Sequence, residues 1–171
     1  LPEVGAAGQA RIARAHVLIV GSGGLGSPAI MALAGAGIGS MTILDHDVVE
    51  TGNLHRQPIH AGRVGWGKAQ SAASFVAALD DTVGVNARAE RLTPANAPAL
   101  VAEAQVVLDC ADSFAVSYIL SDACAAAGVP LISASALGMG GYVGGFCGEA
   151  PSLRAVFPDL PERAATCASA G

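Results

Sequence analysis

Residues 17–26 have the sequence VLIVGSGGLG, in which a short apolar run is followed by closely spaced glycines. The apolar run predicts a buried strand, and residues from about 24 to 37 predict the helix that follows it. Gly21, Gly23 and Gly26 form the pattern G-x-G-x-x-G at the junction. Such glycines let the backbone approach a phosphate, so the stretch favours a nucleotide-binding loop. The alternative is a turn whose glycines serve only helix–strand packing.

The rest of the chain alternates between predicted strands and helices. Strands are predicted at residues 41–44, 83–90, 106–109, 131–135 and 142–147. Helices are predicted at residues 68–79, from Thr93-Pro94 onwards, and from Asp112 or Ser113 to Ala127. This alternation predicts an α/β fold, with a Rossmann-like, doubly wound and mainly parallel sheet and helices on both faces. Residues 1–150 would form this nucleotide-binding domain, and residues 151–171 an irregular tail.

The composition limits the partners that the chain can have. Its 171 residues are 52% hydrophobic and 13% charged, which favours burial of apolar surface against a second chain. The net charge of −5 argues against a nucleic-acid partner. Residues 17–44 carry no charge, but their glycines favour a strand–turn–helix unit over a membrane span.

The cysteines and the N-terminus indicate a cytoplasmic protein. The four cysteines contain no CxxC pair, and no basic region precedes an apolar run at the N-terminus. Cys110, Cys124 and Cys147 lie in apolar strand or helix patterns, so we expect them in the core as free thiols.

Charged side chains follow the predicted strands at positions suited to a nucleotide. Asp45 lies about twenty residues beyond the glycines, where an acid binds the ribose hydroxyls of ATP or NAD alike. Arg56 and Lys68 supply two cations, which suit a triphosphate, although they also fit an ordinary surface loop. Asp112 follows the fourth strand and would either hold Mg²⁺ on the phosphates or cap the next helix.

With these residues assembled, the chain resembles the ThiF/MoeB/HesA family, relatives of the ubiquitin-activating enzymes. The NLHRQ block, at its distance from the acidic pair, is the most specific of the shared motifs. The segments that carry the resemblance are LPEVG (1–5), VLIVGSGGLG (17–26), LDHDVV (44–49), NLHRQ (53–57), GK (67–68), LDCAD (108–112) and TC (166–167).

The resemblance implies an ATP- and Mg²⁺-dependent adenylyltransferase that activates the C-terminal glycine of a ubiquitin-like sulfur-carrier protein and works as a homodimer. It implies that Gly24 and Asp45 hold the adenosine, with Asp112 on Mg²⁺. Asn53, Arg56 and Lys68 would hold the phosphates. The remaining candidate binding residues are Gly21, Gly23, Gly26, Asp47, Gln57 and Ser113. The candidate catalytic residues are Arg56, Lys68, Asp112 and Cys167.

The chain departs from the family pattern at several positions. Ser152 and Ala155 stand where family members often carry two zinc-binding cysteines, so we expect no zinc site. Ser113 stands where asparagine is common, and we expect the C-terminal portion of the family domain to be absent. Cys167 matches a cysteine that some relatives link covalently to the carrier, and the alternative is a free cysteine in a tail.

Two other functions remain open at this point. The glycine pattern and Asp45 alone would permit a nicotinamide-dependent oxidoreductase, although no placed acid for hydride transfer is evident. A truncated or degenerate module that binds a nucleotide without turnover is the other alternative. The lost zinc cysteines favour it, and the retained phosphate-facing residues argue against it.

Overall fold

A computed structural model describes residues 2–158, in which six strands form one sheet. The strands are β1 (His16–Val20), β2 (Ser40–Leu44), β3 (Gly84–Arg88), β4 (Val106–Asp109), β5 (Leu131–Leu137) and β6 (Gly140–Phe146). Their order across the sheet is β3-β2-β1-β4-β5-β6. The pairings from β3 to β5 are parallel, and β6 pairs antiparallel to β5.

Helices connect the strands and cover both faces of the sheet. They are α1 (Gly5–Ile12), α2 (Gly26–Gly35), α3 (Lys68–Leu79), α4 (Ala97–Ala102), α5 (Phe114–Ala127) and α6 (Leu153–Val156), with 3₁₀ turns at Thr51–Asn53 and Pro58–His60. Within residues 2–158, no helix is long and apolar enough to cross a bilayer.

Alternate residues of β1 point into two separate hydrophobic clusters, one on each face. Val17 and Ile19 pack with residues of α2 and α3, whereas Leu18 and Val20 pack with residues of α4 and α5. Because side chains alternate along a strand, the apolar run of β1 from Val17 to Val20 fits a central strand that is buried on both faces. The predicted Rossmann-like, doubly wound and mainly parallel fold is therefore confirmed.

Several element bounds differ from those predicted, and local chemistry explains the differences. The prediction that a helix starts at Thr93-Pro94 is wrong, because α4 begins at Ala97. Thr93 donates its N–H and hydroxyl to Asn96 Oδ1, at 2.7 and 3.1 Å, and this closes a separate turn before the helix. By contrast, α3 and β4 have the predicted bounds.

The expectation that Cys147 belongs to the core is also wrong. Cys147 directly follows β6, the last strand of the sheet, and is exposed. Cys124 is buried and Cys110 partly buried, and all three are free thiols. Ser152, within the segment expected to be irregular, caps α6 by accepting a hydrogen bond from Ala155 N. Cys167 lies outside the described residues.

Candidate functional site

A cleft of about 850 Å³ opens beyond the carboxyl ends of β1, β2 and β4. This is the edge where ligands bind in open α/β sheets, and the volume suits a small-molecule ligand. Most of the predicted binding residues line the cleft, namely Gly21, Gly23, Gly24, Asp45, Asp47, Asn53, Arg56, Gln57, Lys68, Asp112 and Ser113. Gly26 does not line it.

The glycines of the loop between β1 and α2 fall into two groups. Gly21 has φ +92°, and a Cβ there would lie 2.6 Å from the Cys110 carbonyl oxygen. A Cβ on Gly26 would collide with the carbonyl oxygen of Gly21. Cβ atoms on Gly23 and Gly24 would make only ordinary contacts, 3.6 Å to Gln57 Nε2 and 3.4 Å to Arg56 Cδ. The first pair is therefore required by the fold, and the second leaves bare backbone facing the cleft.

Asp45 directly follows β2 and already accepts three hydrogen bonds from the protein. Ser22 donates its N–H and hydroxyl to Oδ2, at 2.8 and 2.9 Å, and Asp47 N–H donates to Oδ1 at 2.9 Å. The residue as a whole is only 8% exposed. An ionised carboxylate has about four acceptor positions, so the geometry leaves capacity for a ribose hydroxyl on Oδ1. Asp45 thus both holds the loop and faces the cleft.

Lys68 and Arg56 bring positive charge to the cleft in two different ways. Lys68 is the first residue of α3; its ammonium is almost buried and lies 3.0 Å from Asp47 Oδ2. Arg56 is exposed, and its side chain lies across Gly24. Among residues 2–158 no carboxylate pairs with Arg56, whose nearest polar contact is His55 Nε2 at 3.4 Å. A guanidinium with open donors beside bare backbone N–H groups is suited to bind phosphate oxygens.

Gln57 is buried at the floor of the cleft, where it is 3% exposed. Its Oε1 has no hydrogen-bond partner within the described part of the chain. A buried polar atom without a partner is costly, so this oxygen fits a site in which a bound ligand or water supplies the missing donor.

The opposite wall of the cleft is formed by the turn between β4 and α5. Asp112 is exposed there, and Ser113 is the N-cap residue of α5, although its side chain makes no capping bond. Asp109 lies behind the turn and is buried; it accepts hydrogen bonds from Ser133 Oγ at 2.7 Å and from Ala111 N at 3.2 Å. Burial raises the pKa of the Asp109 carboxyl, against these hydrogen bonds. Asp112 is thus the carboxylate of this turn that is available to bind a cation.

Two of the thiols, Cys110 at the cleft and Cys124 in the core, are poor nucleophiles. Burial, with a smaller contribution from the charge of Asp109, raises the pKa of Cys110 to about 12 and that of Cys124 to about 11. Since the thiolate is the reactive form, neither cysteine is suited to covalent catalysis.

Asp45, His46 and Asp47 form a group whose ligand atoms lie close together. His46 Nε2 lies 3.2 Å from Asp47 Oδ1, while the Lys68 ammonium contacts the other oxygen of Asp47. The lysine therefore already supplies the positive charge that these carboxylates need.

Three buried residues in or behind the glycine loop are not marked as site residues by any sequence pattern. They are Ser22, His60 and Ser71, each fully buried. His60 contacts the Ser22 carbonyl oxygen and the Ser71 hydroxyl, both at 2.9 Å. The histidine stands in a polar loop, and Ser71 in an alanine-rich stretch of helix, so only the folded structure brings them together.

Comparison with known proteins places this chain in a family. The model described as the ThiF family matches residues 1–171. The adenylyltransferase and sulfurtransferase UBA4 of Yarrowia lipolytica is 45% identical to this chain, over 100% of the chain and 44% of that protein. The SAMP-activating enzyme E1 of Haloferax volcanii is 39% identical, over 100% of the chain and 64% of that protein.

A solved structure gives the same result. The tRNA N6-threonylcarbamoyladenosine dehydratase TcdA of E. coli, in complex with ATP, superposes with a TM-score of 0.73 at 33% identity, over 77% of this chain and 55% of that chain. The chain thus spans less than two thirds of each of these three proteins. With a family model matched along its whole length, the chain belongs to the ThiF family.

Proposed function

We propose that the chain is the nucleotide-binding part of an ATP-dependent adenylyltransferase, which activates the C-terminal carboxylate of a ubiquitin-like sulfur-carrier protein. The observation that carries this proposal is the combination of Arg56, which has open donors, with Lys68 and the bare backbone of Gly24 in one cleft. A dinucleotide dehydrogenase has no need for two cations at this place, whereas a departing pyrophosphate does.

The chemistry requires little more than alignment and charge neutralisation. An oxygen of the carrier's terminal carboxylate attacks the α-phosphorus of ATP, and the bond between that phosphorus and the bridging oxygen to the β-phosphate breaks. The products are an acyl-adenylate and pyrophosphate, which leaves with the electron pair. A carboxylate is already a nucleophile, so the site needs no general base. Arg56 and Lys68 would stabilise the charge that develops on the phosphates.

Individual residues have separate proposed roles in holding ATP. Asp45 and Gly24 would contact the adenosine, and Asn53 the phosphates. Gln57 Oε1 would find in the bound ligand the donor that it lacks in the protein. Gly21, Gly23, Asp47 and Ser113 line the cleft and would shape the binding surface, whereas Gly26 would act only through the packing of the loop.

Mg²⁺ fits the donor set of the cleft. Asp112 is an exposed carboxylate at its edge, and Mg²⁺ prefers one or two carboxylates together with phosphate oxygens. When bound, Mg²⁺ would neutralise phosphate charge.

We also propose that the protein works as a homodimer in the cytoplasm. Large apolar side chains exposed in the described structure support an interface, among them Met31, Trp66, Leu137 and Val143. Residues 1–150 would be the nucleotide-binding domain. Cys167 would be the residue that forms a covalent link to the carrier, because it matches a cysteine that some relatives use in this way.

The experiment that tests the function is ATP–pyrophosphate exchange, with and without a carrier protein ending in Gly-Gly. We expect exchange only with the carrier, and its loss in Arg56→Ala and Lys68→Ala. Arg14→Ala, which removes an exposed cation outside the cleft, is the control and should exchange normally. Tight MgATP binding without any exchange would identify a binding module instead, and preferential binding of NAD would contradict the proposal altogether.

A further inference from the structure

A chain of hydrogen bonds connects the first turn of α3 to the glycine loop. It begins at Lys68, whose ammonium contacts Asp47 Oδ2 at 3.0 Å. The Asp47 N–H donates to Asp45 Oδ1 at 2.9 Å. Ser22, inside the glycine loop, donates to Asp45 Oδ2 through both its N–H and its hydroxyl. The Lys68 ammonium on α3 is thus connected by hydrogen bonds to the backbone of the glycine loop.

His60 closes this chain into a ring. Its Nε2 lies 2.9 Å from the Ser22 carbonyl oxygen, and its Nδ1 lies 2.9 Å from Ser71 Oγ. Ser71 belongs to α3, and its N–H donates to the carbonyl oxygen of Gly67, the N-cap residue of that helix. The ring therefore leaves α3 at Lys68 and returns to the same helix one turn later.

The chemistry of these contacts fixes the tautomer of His60. A carbonyl oxygen can only accept, so Nε2 must carry the proton that it donates to Ser22. Nδ1 then accepts from the Ser71 hydroxyl in the neutral ring. Burial lowers the pKa of His60, which agrees with a neutral imidazole.

We propose that His60 is a positioning residue for nucleotide binding, which acts through the Ser22 carbonyl to hold the backbone of Gly23 and Gly24 at a fixed distance from Lys68. The inference deepens the proposed function and rests on it. The loop, the ribose-facing carboxylate and the buried cation would then be set in place before a nucleotide arrives. Preorganisation of this kind lowers the cost of binding.

Three variants separate positioning from simple core packing. His60→Leu removes both contacts, while Ser27 Oγ still donates to the Ser22 carbonyl oxygen at 3.1 Å, so no buried carbonyl is left without a donor. In His60→Gln, the side-chain amide N–H reaches the position of Nε2 and can donate to the Ser22 carbonyl oxygen. Ser71→Ala removes the hydroxyl that donates to Nδ1 and leaves the contact of Nε2 with the Ser22 carbonyl oxygen in place. Ser121→Ala, which removes a buried serine of α5 outside the ring, is the matched control.

The first measurement is amide hydrogen exchange without nucleotide. In His60→Leu we expect the amides of residues 22–27 to exchange about tenfold faster, while those of β1 keep their rate. A tenfold change is the size expected for one lost hydrogen bond. His60→Gln should restore the slow rate, Ser71→Ala should show part of the effect, and Ser121→Ala none. Uniform acceleration of β1 and the loop, or no rescue by glutamine, would overturn the proposal.

The second measurement is MgATP affinity, together with the kinetics of ATP–pyrophosphate exchange. We expect His60→Leu to raise the Kd and the KM for ATP about tenfold, with little change in kcat, because His60 does not contact the reacting atoms. An unchanged Kd would contradict the positioning role. Amide hydrogen exchange requires neither ATP nor a carrier. A failure of ATP–pyrophosphate exchange alone would therefore overturn the adenylyltransferase proposal and leave the positioning role of His60 standing.

Discussion

Lys68 Nζ lies 3.0 Å from Asp47 Oδ2, although the lysine side chain is only 9% exposed and that of the aspartate 52%. The two partners therefore depend on the bond to different degrees. Water can solvate the aspartate if the lysine is removed, whereas the buried ammonium has little access to water if the aspartate is lost.

We predict that replacing Asp47 destabilises the protein more than replacing Lys68 does. Asp47→Asn should lower the free energy of unfolding by about 1–3 kcal/mol, because it leaves a buried charge without its carboxylate. Lys68→Met should cost less than about 1 kcal/mol, because a methionine fills the buried space and the exposed carboxylate is hydrated. Urea unfolding of both variants checks the order, and a larger loss in Lys68→Met would contradict it.

Alanine substitutions in the glycine loop should separate folding from binding. Gly24→Ala places a Cβ in ordinary contact with the flexible Arg56 side chain, so stability should stay within about 0.5 kcal/mol of the parent. Its affinity for MgATP should fall about tenfold, because the methyl group covers backbone that faces the cleft. Calorimetric titration measures the affinity.

Gly26→Ala is the matched variant with the opposite outcome. Its Cβ would collide with the backbone carbonyl of Gly21, so the free energy of unfolding should fall by about 1–3 kcal/mol. If Gly24→Ala destabilised the protein as much as Gly26→Ala does, the division of these glycines into two groups would be wrong.

Addition of MgATP should stabilise the protein, and Asp112 should account for the contribution of the metal. At about 100 times its Kd, a ligand adds about 2.7 kcal/mol, which raises the Tm by roughly 5–10 °C for a domain of this size. Asp112→Asn should reduce this shift with MgATP and leave the smaller shift with ATP and EDTA unchanged. Asp81→Asn, an exposed aspartate outside the cleft, is the control, and equal shifts in both variants would exclude Asp112 as a metal ligand.

His60 should make stability depend on pH below neutrality. Burial lowers the pKa of its imidazole below the ordinary 6.5, against the raising effects of the Ser22 carbonyl and Asp45, while Lys68 and Arg63 lower it further. Between this lowered pKa and 6.5 the unfolded chain binds more protons than the folded one. The free energy of unfolding therefore rises with pH across that window. The contribution of His60 to stability is fully present above pH 6.5 and is lost as the pH falls through the lowered pKa.

The comparison of the parent with His60→Gln isolates this histidine from other groups. The difference in the free energy of unfolding between the two proteins, measured by urea titration from pH 7.5 downwards, should change below pH 6.5 and stay constant above it. A difference that stayed constant over the whole range would show that His60 has the same pKa in both states.

The fold was predictable because its signals are local. The apolar strand before Gly21 and the glycine that ends α5 both act on near neighbours in sequence, and parallel strands bring the loops that follow them to one edge. The position of Asp112 in the cleft follows from that rule alone. Helix α1 was missed because its sequence, GAAGQARI, contains two glycines and no clear apolar period.

The contacts inside the site were not predictable, because they join residues far apart in sequence. Nothing local indicates that Asp45 accepts its bonds from Ser22, or that His60 lies against a helix residue. The pairing of Lys68 with Asp47 depends likewise on how α3 is placed against the end of β2. A sequence pattern identifies residue types at an edge, and only packing decides which of them contact one another.

Every member of the ring, from Ser22 to Ser71, precedes β4 in the chain. During synthesis on the ribosome, the loop, its carboxylate and its buried cation are therefore all present when β4 to β6 have not yet been translated. The wall of the cleft that carries Arg56 and Lys68 comes from the earlier half of the sheet, and the wall that carries Asp112 comes from the later half. The order of translation thus separates the synthesis of the two walls in time.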